Sequence, residues 1–152
     1  MVDVADILSR HLSTAIRWAE AQEIDVLTSG KPLTVSQVGL ARAVGVIDPD
    51  QVRIKIVSQI PLPTQPDLRA AAIQTGLLGP GTAGVTFGHG IINLHGHEAN
   101  RLVSHELRHV HQYEVAGSVA AFLPRYLRQI VTIGYSDAPF ELDACQHERD
   151  AP

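Results

Sequence analysis

Apolar residues in the first third of the chain recur at two different spacings. Between residues 3 and 29 they return every three or four positions, which predicts an amphipathic helix, and the Gly-Lys-Pro sequence at 30–32 ends it. Thr34 is typical of a helix N-cap, because a glutamine three residues later completes a capping box, and a short helix is predicted near 35–44. Apolar and polar residues alternate over 52–58, which is typical of a half-buried strand.

The rest of the chain contains two further strand-like runs and several helical ones. A proline-rich stretch over 60–66 predicts a surface crossing, and two short strands joined by glycines are predicted within 84–94. Pro124 either kinks the helix that contains it or marks where that helix begins. Strands that precede a helical half indicate an α+β fold. The predicted helices of this part lie at 67–78, at 97–117, at 119–133 and from about 139.

Length, charge and composition narrow the class of protein. A chain of 152 residues with 45% hydrophobic and 18% charged residues is expected to form one globular domain. Its net charge of −4 gives no reason to expect a nucleic-acid partner. The single cysteine excludes an internal disulfide framework, and no apolar run is long enough for a membrane helix. Acidic residues precede the first apolar run, unlike in a secretion signal, so we expect a cytoplasmic protein without a membrane partner.

The sequence His-Glu-Leu-Arg-His at 105–109 is the strongest chemical signal in the chain. On a helix, His105 and His109 lie one turn apart on the same face, so both imidazoles can bind one metal ion. Glu106 points close to the same position without needing to bind the metal, and it can take a proton from the water that the metal activates. This pattern predicts a zinc site.

A catalytic zinc ion needs three protein ligands, so a further residue must complete this motif. Glu141 is the best candidate, because Pro139 suits the first turn of a helix and places this carboxylate near the start of that helix. Asp143 is the rival. On a helix the two carboxylates project about 200° apart, so both cannot bind the same ion comfortably. By the same geometry, His111 is not expected to share a metal with His109.

Two segments resemble a known family. The sequence His-Glu-Leu-Arg-His-Val-His-Gln at 105–112 is followed by Tyr-Ser-Asp-Ala-Pro-Phe-Glu at 135–141. The chain thereby resembles the gluzincin-type zinc metallopeptidases, and more specifically compact bacterial zincin-like domains, in which the first motif is followed by a glutamate ligand on a later helix. The resemblance covers about residues 84–145. It implies a zincin-like core over 84–150, preceded by a helical and strand portion over 1–80, within a single domain.

The resemblance also implies an activity. His105, His109 and Glu141 would bind Zn²⁺, and Glu106 would act as the general base in the hydrolysis of a peptide or protein substrate. Residues 84–94 resemble the edge strand that holds a substrate backbone by strand addition in such enzymes.

The reaction needs a hydrogen-bond donor for the developing oxyanion in addition to the metal. Tyr135, in the loop before Glu141, is our first candidate for a catalytic residue of this kind, and Tyr126 is the second. The alternative for either tyrosine is core packing with a solvated hydroxyl.

One position departs from the family pattern. Cys145 stands four residues after Glu141, where many relatives have an aspartate that orients a histidine ligand. Asp143 could take that role, and Cys145 itself is expected to be a small packed residue. The departure favours a second hypothesis, in which the protein is a metal-binding or interaction module on a zincin-like scaffold without catalytic turnover. A purely structural domain with incidental histidines is the third.

Overall fold

Six helices and a four-stranded sheet make up the structure, a computed structural model that describes residues 1–152. The mixed α/β architecture predicted from the sequence is confirmed, with a small sheet packed on the helix that carries the His-Glu-Leu-Arg-His motif. The helices are α1 (Val4–Ser29), α2 (Val35–Ala43), α3 (Pro66–Thr75), α4 (Asn100–Ala116), α5 (Val119–Thr132) and α6 (Pro139–Gln146). The strands are β1 (Lys31–Pro32), β2 (Arg53–Val57), β3 (Gly84–Phe87) and β4 (Gly90–Leu94).

The helix ends follow the local signals in the sequence. The Thr34 hydroxyl accepts from the Gln37 amide and the Gln37 side chain accepts from the Thr34 amide, so the predicted capping box starts α2. Gly117, with φ of 104°, ends α4, and Ser118 then caps α5. Because α5 begins at its Ser118 cap, Pro124 lies inside the helix and does not mark its start. None of the six helices is both long and apolar enough to cross a membrane.

The sheet has the strand order β1-β2-β4-β3. β1 and β3 pair antiparallel with their neighbours, whereas β2 and β4 pair parallel, with Arg53 opposite Gly90 and Val57 opposite Leu94. The chain between these two parallel strands contains α3 and β3, and β3 forms an edge of the sheet. The parallel pairing was not predicted, because a short hairpin signal says nothing about which other strand will lie beside it.

Successive side chains of β4 pack into different hydrophobic clusters, because side chains along a strand point alternately to the two faces of the sheet. Ile92 packs in a cluster with α1 and α5, and Ile91 packs in a second cluster with α2 and α4. In the antiparallel register, Thr86 lies opposite Ile91 and Gly84 lies opposite Asn93, so these positions share the face that meets α4. The sheet therefore presents polar positions of β3 and β4 to the helix that carries the motif.

Candidate metal centre

The two motif histidines and Glu141 converge in the structure. The Nε2 atom of His105 lies 3.2 Å from Oε1 of Glu141, and the Nε2 atom of His109 lies 2.9 Å from Oε2. One nitrogen or oxygen from each of the three side chains lies within 4.8 Å of the other two. His109 and Glu141 are 7% and 4% exposed, so this cluster is buried. Helices α4 and α6, which α5 separates along the chain, thus meet where the sequence predicts a metal site.

The Nδ1 atoms of His105 and His109 each lie within hydrogen-bond distance of a side-chain oxygen. Nδ1 of His105 lies 3.0 Å from Oε2 of Glu148, and Nδ1 of His109 lies 2.8 Å from Oε1 of Gln112. The amide nitrogen of Gln112 donates to Oδ2 of Asp143 at 2.9 Å, so its amide oxygen is left to accept the Nδ1 proton of His109. When Nδ1 keeps its proton for these oxygens, Nε2 is the nitrogen that can bind a metal ion, and it is the atom that faces Glu141.

The electrostatics of the cluster favour positive charge at its centre. Burial by itself would lower the pKa of His105, but the hydrogen bond to Glu141 and the nearby Glu106 carboxylate raise the pKa to about 9. The pKa of His109 is also raised, against the same effect of burial, by Glu141 and Glu106. Burial would raise the pKa of Glu141, yet the hydrogen bonds from both histidines hold that pKa well below its ordinary value. Protons on the two Nε2 atoms thus take the place that a cation would take.

The donor set is one that zinc accepts. Two imidazole nitrogens and one carboxylate oxygen, with one further position open, are the ligands of a catalytic zinc site. Ligand atoms about 2.0–2.1 Å from a tetrahedral ion lie roughly 3.3 Å apart. The two contacts to Glu141, 2.9 and 3.2 Å, are close to that separation. The two histidines meet different oxygens of this one carboxylate.

Asp143, the rival for third ligand, lies outside this cluster. Its carboxylate accepts from Arg108 at 2.7 Å and from Gln112 at 2.9 Å. The structure brings Glu141 to the histidines and leaves Asp143 to support His109 through Gln112. Asp143, which the sequence suggested as a residue that orients a histidine, is therefore linked to His109 only through the side-chain amide of Gln112.

Glu106 lies beside the cluster without taking part in it. Its Oε2 atom is 4.0 Å from Nε2 of His105, and its Oε1 atom accepts a 2.9 Å hydrogen bond from the Thr86 hydroxyl on β3. The side chain is buried, and one carboxylate oxygen remains free of protein donors. The geometry suits a proton acceptor that must face the ion and not bind it.

The two tyrosines that were considered for oxyanion stabilisation occupy different positions. The Tyr126 hydroxyl donates to Oε2 of Glu141 at 2.7 Å and is buried, so it supports the ligand carboxylate. Tyr135 lies with Glu106 along the rim of the site and is 36% exposed. Burial and the carboxylates of Glu141 and Glu106 raise the pKa of Tyr135 above its ordinary value, so its hydroxyl stays a proton donor. Of the two, Tyr135 is the more exposed.

Sequence reasoning missed Glu148 and misjudged Cys145. Cys145 is exposed, not packed in the core, and its Sγ lies 3.9 Å from Nδ1 of His105. The carboxylate that binds this nitrogen comes from Glu148, beyond the end of α6. Because Glu148 lies two residues beyond Gln146, the last residue of α6, helical spacing from Glu141 could not have indicated it. His111, as predicted, points elsewhere, with Nδ1 2.7 Å from the Gly45 carbonyl oxygen.

A mostly apolar pocket of about 130 Å³ adjoins the cluster. Glu106, His109, Tyr135 and Glu141 line one part of it. The remainder is formed by apolar side chains of α1, α3, α5 and β3, among them Ile7, Trp18, Leu68, Phe87, Phe122 and Leu127. The candidate metal centre therefore opens onto an apolar space.

Comparisons of the chain with protein-family models, with curated proteins and with solved structures find no match. The gluzincin resemblance consequently rests on the motif residues themselves.

Proposed function

We propose that the protein is a zinc-dependent metallohydrolase that cleaves peptide bonds in the manner of the gluzincins. The observation that carries the proposal is the convergence of His105, His109 and Glu141 in a buried cluster with Glu106 beside it. A zinc ion held there would supply Lewis acidity, which polarises a carbonyl and lowers the pKa of a water molecule. The other chemical roles fall to side chains of this protein.

Glu106 is the proton carrier in this proposal. Its free carboxylate oxygen faces the cluster, and the Thr86 hydroxyl holds the other oxygen, so the group is oriented before substrate binds. It would accept a proton from the attacking water and return that proton to the leaving amine. Tyr135 would donate a hydrogen bond to the oxygen that becomes negatively charged.

The edge strand β3 supplies a surface for a peptide backbone. The Leu94 amide donates to the Ala83 carbonyl at 2.8 Å, and the alternation of an antiparallel pair then turns the backbone groups of Gly84 and Thr86 away from β4. The Tyr113 hydroxyl donates a hydrogen bond to the Thr86 carbonyl, so the amide and carbonyl of Gly84 remain for an added strand. Gly84 is next to Glu106, so a peptide bound there would pass the candidate metal centre.

Metal analysis is the first test of this function. We expect purified wild-type protein to contain close to one zinc per chain and His109→Ala to lose it, because the variant removes one of three ligands. His111→Ala is the matched control, since this histidine is on the same helix but binds the Gly45 carbonyl. Elemental analysis after gentle purification measures both. A wild-type protein without metal, or equal zinc in both variants, would contradict the proposal.

Hydrolysis then separates the enzyme from a metal-binding module. The exposed Cys145, in place of an orienting aspartate, is the observation that favours a module without turnover. A zinc-loaded protein that cleaves no member of a peptide library would support that alternative.

The apolar pocket predicts which peptides are cleaved. Its volume of about 130 Å³ is similar to a cavity of about 150 Å³ that holds benzene, so it suits one large apolar side chain. We expect Ala72→Leu, which extends into this pocket, to lower cleavage of peptides with a leucine or phenylalanine beside the scissile bond by about tenfold. Ala70→Leu on the same helix is the control, because Ala70 does not line the pocket. Equal kcat/KM values for the two variants would show that the pocket does not receive substrate.

A further inference from the structure

Asn93, on β4, has a buried amide group with no hydrogen-bond partner. The residue is 0% exposed, and its Nδ2 and Oδ1 atoms are the only buried side-chain nitrogen and oxygen atoms in the structure that lack a partner. Burying an unpaired amide is unfavourable, and an apolar side chain of similar size would avoid that cost. Packing therefore gives no reason for an asparagine at this position.

The amide is a neighbour of the proposed general base. Asn93 lies opposite Gly84 in the sheet, on the face that meets α4. A Cβ atom at Gly84 would lie 2.8 Å from Oδ1 of Asn93 and 3.3 Å from Cγ of Glu106. One Cβ position at Gly84 would meet both groups, so the amide and the Glu106 side chain lie on the same face of the sheet, in space that the glycine leaves open.

We propose that Asn93 is a positioning residue for Glu106, an inference that rests on the function proposed above. An amide offers both a donor and an acceptor, so it can bind a carboxylate through Nδ2 and a protonated carboxyl through Oδ1. Glu106 alternates between these two forms when it accepts and returns a proton. In its present position the carboxylate is bound by Thr86. Asn93 gives it a second partner on the sheet side, directly after a side-chain rotation or through one enclosed water.

Asn93→Leu tests this role, because stability and turnover should change in opposite directions. Leucine has a similar volume and no polar atoms, so the unfolding temperature of the metal-free variant should equal or exceed that of the wild type. Zinc affinity should be unchanged, since Asn93 contacts none of the three proposed ligands. We expect kcat of the zinc-loaded variant to fall about tenfold or more at unchanged KM. In a Glu106→Gln background, Asn93→Leu should cause no further loss.

Ile91→Val is the control on the same strand and the same face. It should lower the unfolding temperature and leave kcat within about twofold of the wild type, because it removes packing without touching Glu106. A structural role for Asn93 would instead lower the unfolding temperature of Asn93→Leu together with its kcat.

The outcomes separate this inference from the function on which it depends. If the wild type hydrolyses peptides and Asn93→Leu does so equally fast, the role of Asn93 is wrong and the function stands. A joint fall of stability and kcat in Asn93→Leu, or a further loss in the Glu106→Gln background, also overturns it. If the zinc-loaded wild type hydrolyses nothing, the proposed function fails and this inference fails with it.

Discussion

Glu106→Gln is expected to retain zinc and to lose hydrolysis by about 10²–10⁴-fold. Glutamine keeps the size of the side chain and can still accept the hydrogen bond from Thr86, but it cannot take a proton. The three proposed ligands are not altered, so metal content should equal that of the wild type. Full metal content with lost turnover would show that Glu106 acts in the reaction and not in metal binding.

Kinetics on a cleaved peptide and zinc analysis of the same samples measure the two quantities. Glu114→Gln is the matched control, since Glu114 is also buried on α4 but binds the backbone amides of Ile47 and Asp48. This control should reduce stability and keep kcat. Hydrolysis by Glu106→Gln at the wild-type rate would refute the assigned role.

The metal-free protein is expected to lose on the order of 3 kcal/mol of unfolding free energy between pH 6.5 and pH 9. The folded pKa of His105 is raised to about 9 from an ordinary value of 6.5, so the folded chain holds an extra proton between these values. That contribution is complete below pH 6.5 and is lost as the pH rises through 9. The pKa of His109 shifts in the same direction.

Urea unfolding of chelator-treated protein across this interval measures the effect. The stability of zinc-loaded protein should instead rise with pH over this interval. Metal and protons compete for the same nitrogen atoms, so zinc binds more tightly as the protons leave. His105→Gln in the metal-free state should flatten the dependence. A metal-free stability that is constant or rises with pH would show that the buried histidines are not held protonated by Glu141.

Local sequence patterns predicted much of the fold and the central part of the site. Helix ends were predictable because Thr34 and Gly117 act through their immediate neighbours. The approach of His105 to His109 follows from helical spacing alone, and the start of α6 at Pro139 correctly positioned Glu141 at its first turn. These features depend on interactions within a few residues of the chain.

The remaining features depend on contacts between distant segments. The parallel pairing of β2 with β4 joins strands separated by α3 and β3, and no residue in either strand encodes its partner. Glu148 reaches His105 from beyond the end of α6, where helical periodicity no longer applies. No sequence pattern indicates a chemical role for Asn93, because only the packed sheet shows that its amide is buried without a partner.

The network behind His109 also joins three helices. Gln112 links this histidine to Asp143 on α6, and Arg108 links Asp143 to the Val44 carbonyl at the end of α2. Arg108 donates to Asp143 at 2.7 Å, and this contact together with that of Gln112 holds the pKa of Asp143 below its ordinary value against the opposing effect of burial. Arg108, which lies between the two motif histidines in the sequence, thereby fixes α6, and with it Glu141, relative to α4.

The order of these residues along the chain has a consequence for biosynthesis, because Glu141 and Glu148 both follow the two motif histidines. The segment with both histidines leaves the ribosome before the segment that carries the two carboxylates facing them. Domains fold from their N-terminal part during synthesis, and a structural site gains full affinity only when all its ligands are folded. For the proposed function, full zinc affinity would therefore arise only after the segment with both carboxylates has emerged and folded against α4.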